Sequence, residues 1–470
     1  MYLFRPYDNT LPDCIVGSTE RNVTRNQIAI VSLPLPLPLP LPGQKLRATL
    51  LELLGPVGDF SAERAALLHH YARKEKVFTP PCPSPSPSSE SSLDISGDEH
   101  REYLDADHGW TTFHVDPPGC RDVDDALAWH KSTDCWAITI ADVAAVVTPG
   151  SPMDRAAHAL GASFYDLEGR VVRPMLPAAL SENTASLLPS CEKKRGLTLF
   201  CAGAAAPDRF ARTWIRVEQS FTYDTFAMSS LASETARAFN ISGTKAETET
   251  ETGTCPHTII ETTMIRYNRA VATVLAAKGA GLLRVQDATT TTPVTPPPND
   301  TLRFLAMEAA RYEPVDATRI ANQNHTAIGG LYCHASSPLR RYADLVNQRV
   351  LLSLPLPLPL PLPLPLLLDP DVQPDSLSLL AAHLNTRNQA NRRWCRDLTF
   401  LTHVTPGRIH ELDVIGYTEG IVWVPSWKRL LRLRHTELGL GLESGCTGRI
   451  RIFCDPAQRN WKERVRTAPF

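Results

Sequence analysis

The sequence predicts an α+β chain of several domains, in which one large mixed region is flanked by a smaller β region on each side. Two observations support this fold class. Short apolar runs rich in β-branched residues lie before residue 79 and after residue 404, as expected for β-strands. Between them, strand-like runs alternate with longer segments of helical periodicity. At 470 residues, the chain has the length of about three domains.

The individual elements are assigned from local pattern. In the mixed region, TMIRYNRAVATVLAAKG (263–279) has helical periodicity and ends at Gly279, a typical helix-terminating residue. The predicted strands, in chain order, are IAIVSL (28–33), LRATLLELLG (46–55), TTFHVD (111–116), WAITIADVAAVV (136–147) and short strands within VIGYTEGIVWVPSWKRLLRLRH (414–435) and GCTGRIRIFC (445–454).

Four proline-rich segments interrupt these elements, and we interpret them as loops and linkers. Leu-Pro repeats favour extended polyproline II, which makes no internal hydrogen bonds. The same prolines prevent a helix, so the longest apolar run does not predict a membrane span. Docking of these repeats into an aromatic groove of a partner stays open as an alternative. The segments are LPLPLPLPLP (33–42), PPCPSPSPSSESS (80–92), TTTTPVTPPP (289–298) and LLSLPLPLPLPLPLPLLL (351–368).

These breaks divide the chain into four predicted regions: a β domain at 1–79, a Pro/Ser-rich linker at 80–107, the mixed domain at 108–403 and a second β domain at 404–470. The formal net charge of -2 argues against coating of nucleic acid by bulk attraction. Residues 404–470 nevertheless carry four more basic than acidic residues. A local basic surface is therefore expected at the carboxy-terminal end.

The cysteines and the amino-terminal residues indicate where the protein works. Eleven cysteines occur without any CxxC pair, in a chain too long to need disulfides for stability. MYLFRPYDNT has no continuous apolar stretch after a basic start, so it does not resemble a secretion signal. We therefore expect reduced thiols, an intracellular location in the cytoplasm or nucleus, and no membrane association.

The candidate site begins in HVDPPGCRDVDDALAWH (114–130), where four aspartates lie within ten positions. Its prolines and glycine predict a rigid loop. Carboxylates this close repel one another unless a cation neutralises them, and Mg²⁺ suits a site with few carboxylates, water and a substrate phosphate. The calcium-loop pattern is not met. A solvated acidic turn is the alternative. The four residues are Asp116, Asp122, Asp124 and Asp125.

A second motif, HASSPLRRYADLVNQRV (334–350), predicts a helix capped by Ser337 and beginning at the proline that follows. Arg340 and Arg341 would then lie in the first turn, where positive charge opposes the helix dipole. An anion bound there would explain them, since a helix start also offers amide donors to phosphate. The structural alternative is an ion pair with Asp344, and it suits Arg341 better than Arg340.

Together, these motifs closely resemble the RNB catalytic domain of the ribonuclease II family, most of all its eukaryotic, exosome-associated branch. The resemblance is dense over 114–188 and 331–350, with weaker similarity in SFTYD (220–224) and MIRYNRAVA (264–272). RPYDNTLPDCIVGSTE, near the amino terminus, resembles the cold-shock-like OB-fold of that branch. The resemblance therefore implies an RNB domain between two OB-fold β-barrels that bind RNA.

The resemblance also implies an activity and a set of roles. The activity is 3′-to-5′ exoribonuclease hydrolysis of single-stranded RNA to nucleoside 5′-monophosphates, with Mg²⁺ as the metal and Mn²⁺ as a substitute. Asp124 is the implied catalytic carboxylate near the attacking water, and Arg340 would bind the scissile phosphate. Asp116, Asp122 and Asp125 would hold the metal. Tyr165, Tyr223 and Arg341 would contact RNA, although each tyrosine is also compatible with a place in the core.

Three positions depart from the family pattern. Cys395 stands where the family has a glutamate that helps to hold the terminal nucleotides. Glu261 is followed by Thr262 where paired glutamates are usual, and Gln286 stands where histidine is frequent. We therefore expect a weaker grip on RNA or lower processivity. Hydrolysis itself is expected to persist, because the four aspartates and Arg340 are present.

Expected partners follow from the same comparison. Single-stranded RNA is the expected substrate, and the carboxy-terminal OB-fold would contact it. The start of the sequence shows no endonuclease domain of the kind that exosome-bound relatives use for docking, so we expect a monomer rather than an exosome subunit. Plain amphipathic strands are the alternative for the carboxy-terminal candidates, which are Trp423, Trp427, Lys428, Arg429 and Arg432.

Two functions from different classes remain at this point. One is an active, metal-dependent exoribonuclease. The other is a non-catalytic RNA-binding regulator built on an RNB scaffold. Retention of all four aspartates favours the enzyme.

Overall fold

The computed structural model consists of two compact units. The terminal unit contains Met1–Arg73, Thr291–Met307 and Arg392–Phe470, and the central unit contains Lys74–Thr290 and Glu308–Asn391. Helices and mostly antiparallel sheets confirm the α+β class. The structure describes the chain except for residues 8–10, 22–23, 35–44, 73–97, 99, 202–206, 242–254, 288–301, 303–308, 361–373, 405–407, 419, 434–441, 456–464 and 470.

The amino-terminal part of the terminal unit is a four-stranded sheet followed by a helix. Two of its strands coincide with the predicted ones, and the OB-fold assignment of this region stays a prediction. A cavity of about 400 Å³ at this sheet is lined mostly by apolar side chains, and Tyr2, Phe4 and Arg25 are also part of the lining. The elements are β1 (Tyr2–Phe4), β2 (Cys14–Val16), β3 (Gln27–Ser32), β4 (Leu46–Pro56) and α1 (Phe60–Tyr71), with strand order β1-β2-β4-β3.

The carboxy-terminal part of the terminal unit is a five-stranded antiparallel sheet in the order β19-β18-β17-β20-β21. Alternation along β20 buries Ile450 and Ile452 and exposes the arginine between them, as expected for a sheet with one solvated face. The strands are β17 (Ile409–Thr418), β18 (Ile421–Val424), β19 (Arg429–Arg432), β20 (Thr447–Cys454) and β21 (Val465–Pro469).

The central unit is built on an eight-stranded sheet. Its order is β13-β6-β7-β8-β11-β12-β16, and β5 pairs with β12 in parallel. The predicted strand at 136–147 ends at Ala141, and the side chain of the next residue, Asp142, binds Arg101. The strands are β5 (Glu102–Leu104), β6 (Trp110–Val115), β7 (Asp125–His130), β8 (Cys135–Ala141), β11 (Lys194–Cys201), β12 (Arg209–Ile215), β13 (Gln219–Phe221) and β16 (Leu358–Pro359).

Both faces of this sheet are covered. Along β7, Leu127 belongs to one apolar core while Ala126 and Ala128 belong to the other, because successive side chains point to opposite faces. The remaining elements of the chain are α2 (Pro152–Leu160), β9 (Phe164–Tyr165), β10 (Val171–Arg173), α3 (Tyr223–Ala227), α4 (Ser230–Ala238), α5 (Pro256–Lys278), β14 (Leu282–Val285), β15 (Arg311–Pro314), α6 (Tyr342–Leu352) and α7 (Pro374–His403). As predicted, α5 stops at Gly279, which has a left-handed φ of 68°.

Two of the expected loops contain ordered structure. The predicted linker at 80–107 ends sooner than expected, because β5 joins the central sheet and Asp98 binds both Arg101 and Arg195. The Leu-Pro run at 351–368 begins as the end of α6, and Leu358 and Pro359 then pair with β12 at the sheet edge, where proline is tolerated. The other proline-rich calls, and residues 361–368, lie wholly or mostly outside the described residues.

Candidate active site

The acidic loop connects two neighbouring antiparallel strands, β6 and β7. Asp116 follows the last residue of β6, and Asp125 is the first residue of β7. Between them, the amide of Val123 donates to Ser186 Oγ at 3.2 Å, and Ser186 Oγ donates to the Arg121 carbonyl at 2.7 Å. These contacts fix the loop against a distant segment, so the predicted rigid loop is present.

Asp124 and Arg340, which are 216 residues apart, are in direct contact. Arg340 Nε donates to Asp124 Oδ2 at 3.0 Å, and the amide of Leu339 donates to Asp124 Oδ1 at 2.8 Å. The Asp124 side chain is 2% exposed, whereas that of Arg340 is 45% exposed. The buried carboxylate therefore holds a guanidinium that still reaches solvent.

Burial sets the protonation of Asp124. It raises the pKa of the Asp124 carboxyl to about 7, although Arg340 and the Leu339 amide both lower it. Nearby, burial and then the carboxylates of Asp116 and Asp124 raise the pKa of Asp125 well above its ordinary value. The negative charges of the loop thus interact with one another, as the sequence predicted.

Asp122 is hydrogen-bonded differently from the other aspartates. Its Oδ2 accepts a 2.6 Å hydrogen bond from the Tyr165 hydroxyl, and its Oδ1 accepts a weak one from Cys120 Sγ at 3.6 Å. Burial, and to a smaller degree Asp122, raise the pKa of Tyr165 above its ordinary value. Tyr165 is therefore brought to the acidic loop, and its hydroxyl remains a donor.

Tyr223 also lies at the loop, but its ring contacts another side chain. It stacks on the exposed His257, with ring centroids 3.7 Å apart. Burial, and then the charges of Asp116 and Asp125, raise the pKa of Tyr223 to about 12. The aromatic surface at this position therefore consists of two rings, of which the sequence had indicated one.

The helix expected at the start of HASSPLRRYADLVNQRV begins later than predicted. Residues 338–340 form a turn, and α6 begins at Tyr342 with Arg341 as the preceding cap residue in extended backbone. Ser337 is therefore not the N-cap; its Oγ accepts from Arg340 Nη2, and its amide donates to Asp344 Oδ1. Arg341 Nη2 binds Asp344 Oδ1 at 2.7 Å, which is the structural pairing that the sequence favoured.

Sequence reasoning missed His114. Its Nδ1 lies 2.9 Å from Asp116 Oδ2, and its side chain is 3% exposed. The signal was available, because residues two apart on a strand lie on the same face. His114 is thus a positioning residue for Asp116.

Two of the positions that depart from the family pattern can be described by their surroundings. Gln286 Oε1 accepts from the Ala327 amide at 3.1 Å and so supports a loop of the central unit. In the terminal unit, Cys395 is exposed on α7, while Asp397 is fully buried and accepts from the Tyr71 hydroxyl at 2.6 Å.

Three of the five carboxy-terminal candidates are used within the terminal unit. Trp423 is buried. Trp427 stacks on His403 with centroids 4.7 Å apart. Arg429 binds Asp397 at 3.3 Å and lies over the Phe400 ring. Lys428 and Arg432 are exposed.

The donor set fits a divalent metal in part. Across the described parts of the chain, no three His, Cys, Asp or Glu side chains are gathered as ligands of one ion. Burial and then the charge of Asp116, however, raise the pKa of Asp125, and Mg²⁺ requires only one or two protein carboxylates beside water and phosphate. Asp116 and Asp125 therefore fit such an ion, while Asp122 Oδ2 accepts from the Tyr165 hydroxyl and Asp116 Oδ2 contacts His114.

Comparison with known proteins identifies the domain that holds the loop. Residues 105–240 match the family model described as RNB domain. This segment is similar to the RNB domain. All four aspartates and both tyrosines lie inside the matched residues, and Arg340 lies beyond them. None of the described helices is both long enough and apolar enough to cross a membrane.

Curated relatives share parts of this chain. Exosome complex exonuclease RRP44 homolog A of Arabidopsis thaliana is 32% identical over 182 residues, which are 36% of this chain and 18% of that protein. Ribonuclease R of Chlamydia trachomatis serovar D is 36% identical over 118 residues, which are 24% of this chain and 17% of that protein. The alignments thus span less than a fifth of either relative.

Solved structures share the fold of nearly the whole chain. The apo form of Mycoplasma genitalium RNase R has a TM-score of 0.67 and 16% identity, and the match covers 97% of this chain and 85% of that one. Yeast Ssd1, described as a pseudonuclease, has a TM-score of 0.63 and 17% identity, with coverage of 97% and 65%. The segment that matches the RNB model thus lies in a chain with an RNase R-like fold.

Proposed function

We propose that this chain is a 3′-to-5′ exoribonuclease that depends on a divalent metal and hydrolyses single-stranded RNA to nucleoside 5′-monophosphates. The contact between Asp124 and Arg340, beside the acidic loop, carries this proposal. It joins a buried carboxylate to a cation that reaches solvent, as hydrolysis of an anionic phosphodiester requires. A match to Mycoplasma genitalium RNase R bound to ribose methylated single-stranded RNA supports this substrate class.

Arg340 would bind the scissile phosphate. Its Nε is held by Asp124 and its Nη2 by Ser337 Oγ at 3.0 Å, which fixes the plane of the guanidinium. Arginine has five N–H donors in a fixed geometry, so the others can donate to phosphate oxygens. Because the pair with Asp124 orients the group before substrate binds, little ordering is needed during the reaction.

Asp124 would accept the proton that the attacking water loses. A general base works best when its pKa lies near the working pH, and burial raises the pKa of Asp124 to about 7. The same carboxylate keeps Arg340 in place. One residue thus serves both the nucleophile and the phosphate.

Asp116 and Asp125 would hold Mg²⁺, or Mn²⁺ in its place, and His114 would orient Asp116. When bound, such an ion neutralises phosphate charge and lowers the pKa of its water. Asp122 would support Tyr165, whose ring is proposed to stack on a base of the RNA. Tyr223, stacked on His257, is proposed as a second aromatic contact.

The flanking β regions are proposed as OB-fold domains that bind the same RNA. Exposed Lys428 and Arg432 are the basic contacts that remain in the carboxy-terminal sheet. The amino-terminal cavity is mostly apolar and contains Tyr2 and Phe4, on which a base is proposed to stack. The protein is proposed to act as a monomer.

The testing experiment uses a single-stranded RNA labelled at its 5′ end. In Mg²⁺, we expect a ladder of products that shorten from the 3′ end, with release of nucleoside 5′-monophosphates and complete inhibition by chelator. Labelled RNA that is not shortened from its 3′ end would contradict the proposal.

A second candidate function has one observation in its favour. The match to yeast Ssd1, a pseudonuclease, covers 97% of this chain, so the same fold exists in a protein described as non-catalytic. An RNA-binding regulator on an RNB scaffold would bind the labelled RNA and leave it intact in Mg²⁺. The retained aspartates and the Asp124–Arg340 contact favour the enzyme.

A further inference from the structure

The part of α7 that belongs to the terminal unit has an exposed face with basic charge only. Arg392, Arg393 and Arg396 are exposed on this face. In the sequence, α7 has no acidic residue between Asp375 and Asp397. Within the described residues, Arg392 and Arg393 form no ion pair, and the contact of Arg396 with Asp397 is 4.0 Å long. The three guanidinium groups are therefore available to a ligand.

Asp397, which follows Arg396 in the sequence, is already bound within the terminal unit. It is fully buried and accepts a 2.6 Å hydrogen bond from the Tyr71 hydroxyl. Arg429 of β19 lies 3.3 Å from the same carboxylate and donates to the Arg396 carbonyl at 3.3 Å. Asp397 thus neutralises Arg429 and leaves the charges of the exposed arginines uncompensated.

The exposed arginines lie close enough to repel one another. Arg392 and Arg396 are four residues apart on α7, and Arg393 and Arg396 are three apart, so both pairs are neighbours on the helix surface. Like charges at these spacings destabilise a helix. Burial, and to a smaller degree the charge of Arg396, lower the pKa of Arg429, although Asp397 raises it. A polyanion bound to this face would relieve the repulsion.

Another basic side chain extends this face to the carboxy-terminal sheet. Lys428 is exposed and directly precedes Arg429, whose guanidinium contacts α7. The backbone of Lys428 is left-handed, with a φ of 47°. Glycine adopts this conformation more readily than lysine does, so the lysine occupies the position at a conformational cost. The preceding Trp427 packs this turn against α7 by stacking on His403, with ring centroids 4.7 Å apart.

We propose that this face, the α7 basic surface, binds the phosphates of single-stranded RNA. Its members are Arg392, Arg393, Arg396 and Lys428. Guanidinium groups donate paired hydrogen bonds to phosphate oxygens, and a basic surface along the backbone binds single strands of any sequence. The inference rests on the RNA-binding part of the proposed function. It adds residues of α7 to the basic contacts proposed for the carboxy-terminal sheet.

The test measures binding of a labelled single-stranded RNA to the full chain in chelator, over a series of salt concentrations. Each phosphate contact on a single strand contributes about 0.7 to the slope of log affinity against log salt. Replacement of Arg392, Arg393 and Arg396 together by Gln should reduce this slope by about 2 and lower the affinity at least about tenfold at low salt. Replacement of the same residues by Lys should keep most of the slope, because the charges remain.

The matched control removes the same charge from the central unit. Arg155, Arg237 and Arg319 are exposed arginines of that unit, and their combined replacement by Gln should leave the slope nearly unchanged. Thermal unfolding of each variant verifies folding. Removal of the repelling charges on α7 should not lower the midpoint of unfolding. If the triple variant of α7 does not fold, Arg393→Gln alone provides the test, with an expected slope change of about 0.7.

The outcomes separate this inference from the proposed function. If the parent protein binds RNA and the Gln variants of α7 and of the central unit behave alike, the α7 basic surface is wrong and the proposed function stands. If the parent protein does not bind single-stranded RNA, both are wrong. Unchanged RNA binding with loss of binding to phosphatidylserine vesicles would assign the surface to a membrane and contradict the inference.

Discussion

The hydroxyl of Tyr165 donates a 2.6 Å hydrogen bond to Asp122 Oδ2, across 43 residues of sequence. One aromatic side chain therefore joins the β9–β10 hairpin to the acidic loop between β6 and β7. The proposed function gives Tyr165 two separable roles, which are support of Asp122 by the hydroxyl and stacking on RNA by the ring. Substitutions can remove the roles one at a time.

Tyr165→Phe removes the hydroxyl and keeps the ring. We expect kcat to fall about tenfold, since loss of a hydrogen bond to a charged group costs roughly 1.5 kcal/mol, and KM to change little. Tyr165→Ala removes the ring as well, and KM should rise about tenfold because a stacked base contributes about 1–3 kcal/mol. Steady-state kinetics on a short single-stranded RNA measure kcat and KM for both variants. Equal KM values for the two variants would contradict a stacking role.

Asp116 and Asp125 are expected to dominate metal binding. Asp116→Asn and Asp125→Asn should each weaken Mn²⁺ binding at least tenfold, on the order of what loss of metal-site support causes. Asp122→Asn is the matched control, because Asp122 is already bound by Tyr165 and should matter less. Calorimetric titration of the metal without RNA gives the affinities. A larger loss of Mn²⁺ affinity in Asp122→Asn than in Asp116→Asn and Asp125→Asn would contradict the assignment of Asp116 and Asp125 as the main metal ligands.

Asp154 is expected to stabilise the helix that follows Arg340. Burial alone would raise the pKa of Asp154, but hydrogen bonds from the Gly150 amide, Arg349 and Tyr342 hold it below its ordinary value. The folded state therefore binds fewer protons at this residue than the unfolded state does. The stabilisation is complete above the unfolded pKa of about 3.9 and is lost as pH falls through the lower folded pKa.

Asp154→Asn should accordingly lower the free energy of unfolding by about 2 kcal/mol near neutral pH. The difference from the parent protein should shrink as pH falls below about 4. Urea unfolding at several pH values measures this difference in the free energy of unfolding. Glu168→Gln is the control, because the Glu168 side chain is 65% exposed. A difference that grows on acidification would contradict the sign of the shift.

Cys395→Glu tests the clearest departure from the family pattern. The Cys395 side chain is exposed on α7, so a glutamate fits there without repacking. If the resemblance assigns this position correctly, the variant should bind short oligonucleotides more tightly by several-fold, about 1 kcal/mol for one added hydrogen bond. Cys191→Glu, at another exposed cysteine, supplies the control. Unchanged affinity in Cys395→Glu would show that the alignment at this position is wrong.

Local pattern predicted β3, β4, β6, β8 and most strands of the carboxy-terminal sheet, but it missed the other strands of the central sheet. The strand at 111–116 matches β6, and the end of α5 at Gly279 is as predicted, because turn and cap residues act over a few positions. The predicted start of α6 was wrong. There the predicted N-cap Ser337 is bound by Asp344, and the turn it precedes serves Asp124, which is a tertiary contact that local pattern does not contain.

In the candidate site, too, local motifs were predicted from the sequence and tertiary contacts were not. The four aspartates, Tyr165 and Arg340 were identified from motifs, and the structure brings Asp124 to Arg340 and Asp122 to Tyr165. The pairing of β9 with β10, which places Val171 opposite Tyr165, carried no motif. His257 was missed for a similar reason, because its stacking on Tyr223 joins α3 to α5.

Asp124→Asn tests the central claim most directly, since it keeps the size of the side chain and removes the carboxylate that holds Arg340. Paired measurements of RNA binding in chelator and of shortening of 5′-labelled RNA in Mg²⁺ are required. We expect binding within a few-fold of the parent protein and a rate at least about 100-fold lower, as for loss of a general base. Shortening at the parental rate in Asp124→Asn would contradict the account.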